Sequence, residues 1–127
     1  MSVGAEAELR RRGPVTAARR ALGAGGEDLA AAWYVARGYR VVSRNWRCRD
    51  GELDLVVRKG RQLVFVEVKA RTTDRFGIPA EAVTRAKQVR IRRLARQYLD
   101  STGERGALRF DVVGILAGRL EVIEAAF

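Results

Sequence analysis

The segment Leu63-Val64-Phe65-Val66-Glu67-Val68-Lys69 is apolar at both alternating sets of positions. A strand of that kind offers no face to water, so it belongs inside a sheet that is covered on both sides. The residues downstream set its connection. A loop, Arg71–Ala82, carries Gly77 and Pro79, and then come a long helical segment, Val83–Leu99, and a strand, Leu108–Leu116. A helix between two strands of one sheet implies a parallel crossover. Upstream, Tyr39–Arg44 and Glu52–Arg58 read as strands separated by a polar loop, Asn45–Gly51, and Lys59-Gly60-Arg61 closes a tight hairpin onto the interior strand. Glu27 to Arg37 reads as a helix with acids in its first turn, a stripe of Leu29, Trp33 and Ala36, and a stop at Gly38. Arg119–Ala126 pairs back onto the preceding strand through Ala117-Gly118. The class is therefore α/β: a mixed central sheet with flanking helices, in the order helix, three strands, helix, two strands.

At 127 residues one domain is expected, spanning 25–127. Residues 1–24 mix Ala, Gly and Arg with little periodicity and read as a flexible basic arm, with a helical turn at Val15–Leu22 and with Pro14 and the Gly23, Gly25 and Gly26 cluster as breaks before the first helix. Cys48 is the single cysteine, so no disulfide framework exists and a reducing cytoplasm is the expected compartment. No apolar run approaches the roughly 20 residues of a membrane helix. No apolar block follows Arg10, Arg11 and Arg12, so a signal peptide is not expected. The chain has no His. That removes the usual zinc sites and every Ser-His or Cys-His nucleophile pair. Any metal would be a hard cation held by oxygen: Mg²⁺, Mn²⁺ or Ca²⁺.

Lys plus Arg number 25 against 15 acids, a net charge of +10. Between Arg85 and Leu99 six residues are basic and none is acidic. Such clustering suggests a polyanion, nucleic acid first, with a merely solvated helix face as the alternative. At about 100° per residue, Val83, Ile91, Leu94, Ala95 and Tyr98 form one apolar stripe, and Lys87 falls inside it while Arg92, Arg93 and Arg96 fall outside. Lys87 should then point toward the sheet or a site at its edge. Arg71, Arg75, Lys87, Arg90 and Arg93 are the candidate phosphate contacts. Trp46, flanked by Arg44, Arg47 and Arg49, is the candidate for stacking on a base, whereas Trp33 reads as core.

Glu67 and Lys69 break the interior strand and, two apart, face one side. They form either a buried structural pair or part of a site, because a lone buried charge needs a partner. The neighbouring strand favours a site. Glu52 and Asp54 alternate with Leu53, Leu55 and Val57, and the hairpin lets Asp54, Glu67 and Lys69 converge. Two adjacent carboxylates repel unless a proton or cation lies between them. A divalent cation there would polarise a phosphodiester and acidify a water, with Lys69 to orient or deprotonate it. Glu52 is a supporting candidate, or pairs with an arginine near the strand start.

Asp54 followed by Glu67-Val68-Lys69 resembles the PD-(D/E)xK nuclease superfamily. Gly26-Glu27, Gly38-Tyr39, Asn45, Gly51-Glu52-Leu53-Asp54-Leu55, Phe65-Val66-Glu67-Val68-Lys69-Ala70-Arg71, Ala82-Val83 and Lys87 narrow this. Over about residues 25–125 they look like the YraN family of small bacterial proteins, which is similar to archaeal Holliday-junction resolvases. The resemblance implies a restriction-endonuclease-like core, with Asp54, Glu67 and Lys69 as the catalytic residues. It implies metal ligation by Glu27, Asp54, Glu67 and the main-chain carbonyl of Val68. A metal-dependent endonuclease acting on branched or structured DNA, with Mg²⁺ or Mn²⁺, is the expected function. RNA is an alternative substrate, and a homodimer is expected by analogy with resolvases. The rival is a nucleic-acid-binding module that keeps the fold without turnover.

Overall fold

A computed structural model of the chain describes residues 14–71 and 83–127, with side chains over 25–70 and 83–127. The elements are α1 (Pro14–Ala36), β1 (Arg40–Cys48), β2 (Gly51–Lys59), β3 (Gln62–Arg71), α2 (Arg85–Thr102), β4 (Ala107–Leu116) and β5 (Arg119–Ile123). They give the α/β class and the element order expected from the pattern. The strands form one mixed sheet in the order β1-β2-β3-β4-β5. All pairs are antiparallel except β3 and β4, which run parallel from Gln62↔Ala107 to Arg71↔Leu116. This is the crossover that the helix between them required.

Both faces of β3 are covered. On one, Leu63 and Phe65 join Leu53, Val56, Phe110 and Val112 under Ile91, Leu94, Ala95 and Tyr98 of α2. On the other, Val64 and Val66 join Leu55, Val57, Val113 and Ile115 under Ala30, Ala31 and Tyr34 of α1. The side chain of Thr84 caps α2 by accepting from the Lys87 amide at 3.3 Å. Gly103 ends α2 with φ 78°, a left-handed value that suits glycine, and its N–H donates to Leu99 O.

Three boundaries differ from the sequence reading. First, α1 begins at Pro14, not Glu27, so residues 14–24 of the expected arm are helical, and residues 1–13 lie outside the described residues. Proline suits a first helical position, and the glycines read as a break lie within the helix. Gly26 has a packing reason: a Cβ there would lie 3.1 Å from Ile115 Cδ1 and 3.5 Å from Val68. The buried face of α1 combines small residues with Glu27 and Tyr34, and Leu29 and Val35, at 45% and 54% exposure, point outward. The expected Leu29-Trp33-Ala36 stripe is replaced by Glu27, Ala30, Ala31 and Tyr34. Glu27 is mid-helix, so the dipole of a helix N-terminus does not explain it.

Second, β1 runs through the expected loop to Cys48, pairing Trp46↔Leu53 and Cys48↔Gly51. It is an edge strand, and its polar outward side chains mimic a loop. Third, β5 stops at Ile123, after which the Ala126 N–H donates to Phe110 O. The turn before it has φ 52° at Ala117 and 76° at Gly118, the pattern of a type I′ hairpin. The expected Arg71–Ala82 loop lies outside the described residues beyond Arg71.

One charged residue is fully buried in the core. Asp111 Oδ2 accepts from Tyr34 Oη at 2.6 Å and from Arg109 Nη2 at 2.9 Å, while Oδ1 accepts from Arg109 Nε and the Ala125 amide, both at 2.9 Å. This network ties α1 to β4 and to the chain after β5. Asp111→Ala leaves a buried tyrosine hydroxyl and a guanidinium without their acceptor. It should lower unfolding free energy by about 3–5 kcal/mol, read by chemical denaturation, with Tyr34→Phe costing distinctly less.

Candidate metal and phosphate site

The β2–β3 ladder runs from Lys59↔Gln62 to Leu55↔Val66. Past that point the period of two fails on β2: Leu53 packs on the α2 face, while Leu55 and Val57 pack on the α1 face. The switch falls at Asp54, so Asp54 and Glu52 do not simply share a face as the alternation suggested. Asp54 Oδ2 instead accepts from the Val68 amide at 2.9 Å. The carboxylate substitutes for a strand carbonyl where the two strands part. The same Val68 whose carbonyl the resemblance assigns to a metal therefore fixes Asp54 through its N–H.

Glu67 stays on the α2 face with Leu63 and Phe65. One of its oxygens, Oε2, faces two ammonium groups: Lys87 Nζ at 3.1 Å and Lys69 Nζ at 3.4 Å. Lys87 comes from the first turn of α2, so the inward placement inferred from the apolar stripe is what the structure has. Glu27 approaches from α1. Its Oε1 is buried without a hydrogen-bond partner, and Arg44 Nη2 stands 3.8 Å away while making its short bond, 2.6 Å, to Asp28.

The electrostatics follow from this crowding. Burial pushes the Asp54 carboxyl up to about 8, assisted by the charge of Glu67 and, more weakly, of Glu27. Burial also raises Glu27, against the lowering effects of Asn45 and Arg44. Burial lowers Lys69, and the neighbouring Lys87 lowers it further. For Lys87, burial acts downward, but the Lys69 amine and the Glu67 carboxylate outweigh it and raise the group. Of the two lysines, Lys69 is thus the one poised to give up its proton.

Asp54, Glu67 and Lys87 line a pocket of about 500 Å³ whose wall includes Arg47, Arg49 and Arg90. The floor is acidic and the rim basic. An oxygen-loving cation would suit the floor, because two side-by-side carboxylates, one driven to hold a proton, are groups that a divalent ion relieves. Glu27, with its orphaned oxygen, lies outside the pocket lining but close enough for its charge to raise Asp54. Among the described residues, no three acids already cluster tightly enough to enclose an ion on their own. Asp54 and Glu67 are the two of these acids that would hold such an ion.

The other candidates are placed as follows. Glu52 pairs across the hairpin with Arg47 at 3.4 Å, the arginine partner named as its alternative, and also lines the pocket. Trp46 is in β1, not in a loop, and packs edge-to-face on Tyr98 at 5.4 Å, a core contact that occupies the ring. Arg90 is at the pocket wall, with Nη2 3.5 Å from Asp50 O. Arg93 is exposed on the far side of α2. Arg71 ends β3, its side chain outside the described residues, as is Arg75 entirely. Sequence reasoning did not assign Arg47 and Arg49 to the site. The Asp50-Gly51 hairpin signal could have found them, since it folds β1 back over β2.

Residues 26–115 match the family described as "Uncharacterised protein family UPF0102". The UPF0102 protein of Beutenbergia cavernae is 53% identical over 103 residues, 80% of this chain and 87% of that protein. That of Mycolicibacterium vanbaalenii is 51% identical over 110 residues, covering 86% and 91%. That of Moorella thermoacetica is 44% identical over 120 residues, covering 89% and 100%. The chain belongs to the UPF0102 family, the YraN family of the sequence resemblance, and placement within the PD-(D/E)xK superfamily is consistent with this. No helix among the described residues is long and apolar enough to cross a membrane.

The raised Asp54 group has a consequence for stability. Its folded value, about 8, exceeds its ordinary value of 3.8. The folded state therefore holds the extra proton between those values, and stability falls as pH rises through that window. Asp54→Asn keeps an acceptor for Val68 without the titration. In EDTA it should melt several degrees above wild type at pH 8, with the gap closing toward pH 4.

Proposed function

We propose that the chain is a metal-dependent nuclease that hydrolyses phosphodiester bonds in DNA. The observation that supports this best is the pairing of Asp54 and Glu67 in one arginine-walled pocket, with the Lys69 ammonium 3.4 Å from Glu67. A Mg²⁺ or Mn²⁺ ion held by Asp54 and Glu67 would polarise the phosphodiester and acidify the attacking water. Lys69, the lysine inclined to lose its proton, would orient that water or take its proton. Lys87, Arg90, Arg47 and Arg49 would hold the phosphates on either side of the cut. Glu27, with its unsatisfied oxygen, would supply a further acid to the metal shell, and the Val68 carbonyl a main-chain ligand.

The resemblance to Holliday-junction resolvases favours branched or otherwise structured DNA as the substrate, with RNA as the alternative. Two copies acting together would suit symmetric cuts in a branched substrate. A second reading is a binding module that never turns over. It is favoured by the clamp of two lysines on Glu67, which could serve as a structural ion cluster.

A panel of duplex, single strand, flap and four-way junction, incubated with Mg²⁺, Mn²⁺ or EDTA, separates the two. The nuclease requires metal, and Glu67→Ala or Lys69→Ala should each lower its rate by about 100-fold or more, while binding in gel shifts persists. Tight binding with no cutting by wild type in either metal leaves the binding module as the reading.

A further inference from the structure

We propose that Lys87 is a resident counter-ion of Glu67 that the divalent cation displaces, and that the freed ammonium then clamps the substrate phosphate, so metal and nucleic acid bind cooperatively. This rests on the metal-dependent reading of the same site.

The argument begins with one oxygen. Glu67 Oε2 is contacted by both Lys87 and Lys69, at 3.1 and 3.4 Å. A cation shared between Asp54 and Glu67 needs an oxygen of Glu67, and at this distance an ammonium and a dication compete for it. The two lysines differ in their ability to yield. Lys69 is two residues from Glu67 on the same strand and moves with it. Lys87 reaches in from another element, and its side chain is a third exposed where that of Glu67 is 12% exposed. Its four-carbon stem lets the ammonium swing toward the pocket mouth while the backbone stays capped by Thr84.

Charge counting gives the direction. Without metal, two ammonium groups, those of Lys69 and Lys87, already stand beside Glu67. A divalent ion adds +2 to a partly buried patch, where charges are weakly screened. The patch then favours an anion, and a phosphodiester at the pocket mouth meets an ammonium just released. Each ligand removes the obstacle to the other. By linkage, nucleic acid must tighten the metal by the same factor by which metal tightens nucleic acid.

The test is Mn²⁺ binding by the full chain, followed by calorimetry and by the Mn²⁺ paramagnetic resonance signal. It uses wild type, Lys87→Gln and Lys87→Arg, each with and without a junction oligonucleotide carrying phosphorothioate linkages to resist cutting. The oligonucleotide should tighten Mn²⁺ on wild type by about fivefold or more. Lys87→Gln should bind Mn²⁺ alone more tightly than wild type by a similar factor and lose the response to DNA, whereas Lys87→Arg should keep it. A purely structural Lys87 predicts the reverse, weaker Mn²⁺ binding when it is removed. That outcome, or equal Mn²⁺ affinity in wild type and Lys87→Gln, overturns the proposal while leaving the nuclease reading intact. Wild type that binds no Mn²⁺ and cuts nothing overturns both.

Discussion

A strand with apolar residues on both faces has to be covered twice, and this requirement on β3 organises the molecule. It puts α1 on one side and α2 on the other, because each helix buries the face the other cannot reach. It also draws β4 in parallel, since the chain must cross the sheet with α2 before it returns. The double cover ends where Glu67 and Lys69 begin. At that point, beyond which β3 sends apolar side chains, Val68 and Ala70, to the α1 face alone, β2 separates from it.

The site is a product of that separation. When β2 leaves β3, the Val68 amide needs an acceptor, because an unpaired buried amide is costly. The Asp54 side chain provides one. Holding it there places a carboxylate beside Glu67 in a region with little water, so the pair repels and Asp54 retains a proton. The backbone defect and the chemical potential of the site are the same event seen at two levels. The lysines complete it: Lys69 from the strand itself, Lys87 from the helix that the strand called for.

Much of this was legible in the residues. The doubly apolar Leu63–Val68 run announced the interior strand, and the stripe of Ile91, Leu94, Ala95 and Tyr98 announced which side of α2 faces inward, Lys87 included. Asp54, Glu67 and Lys69 could be placed together from the hairpin alone. The misreadings have identifiable causes. Gly23, Gly25 and Gly26 suggested a helix boundary, but Gly26 serves close packing against Ile115. Arg47, Arg49 and Asn45 suggested a loop, but an edge strand can carry polar side chains without breaking. The phase switch at Asp54 could not be seen, because Leu53-Asp54-Leu55 has the same alternation whether or not the strand is bent. The Tyr34–Asp111–Arg109 network escaped too, since its members lie up to 77 residues apart.

The outer edge of β1 has its own consequence. Its pairing with β2 shifts register between Val41 and Ser43, and Asn45 takes a left-handed φ of 53°. Arg40 and Arg47 stand exposed along it. An edge bent twice and bordered by like charges is a poor template for another strand. A neighbouring chain that tried to extend the sheet there would have to straighten both irregularities and strip water from guanidinium groups. Arg47, which also lines the pocket, therefore has a second physical effect: with Arg40 it protects an unpaired row of amides and carbonyls from accreting strands.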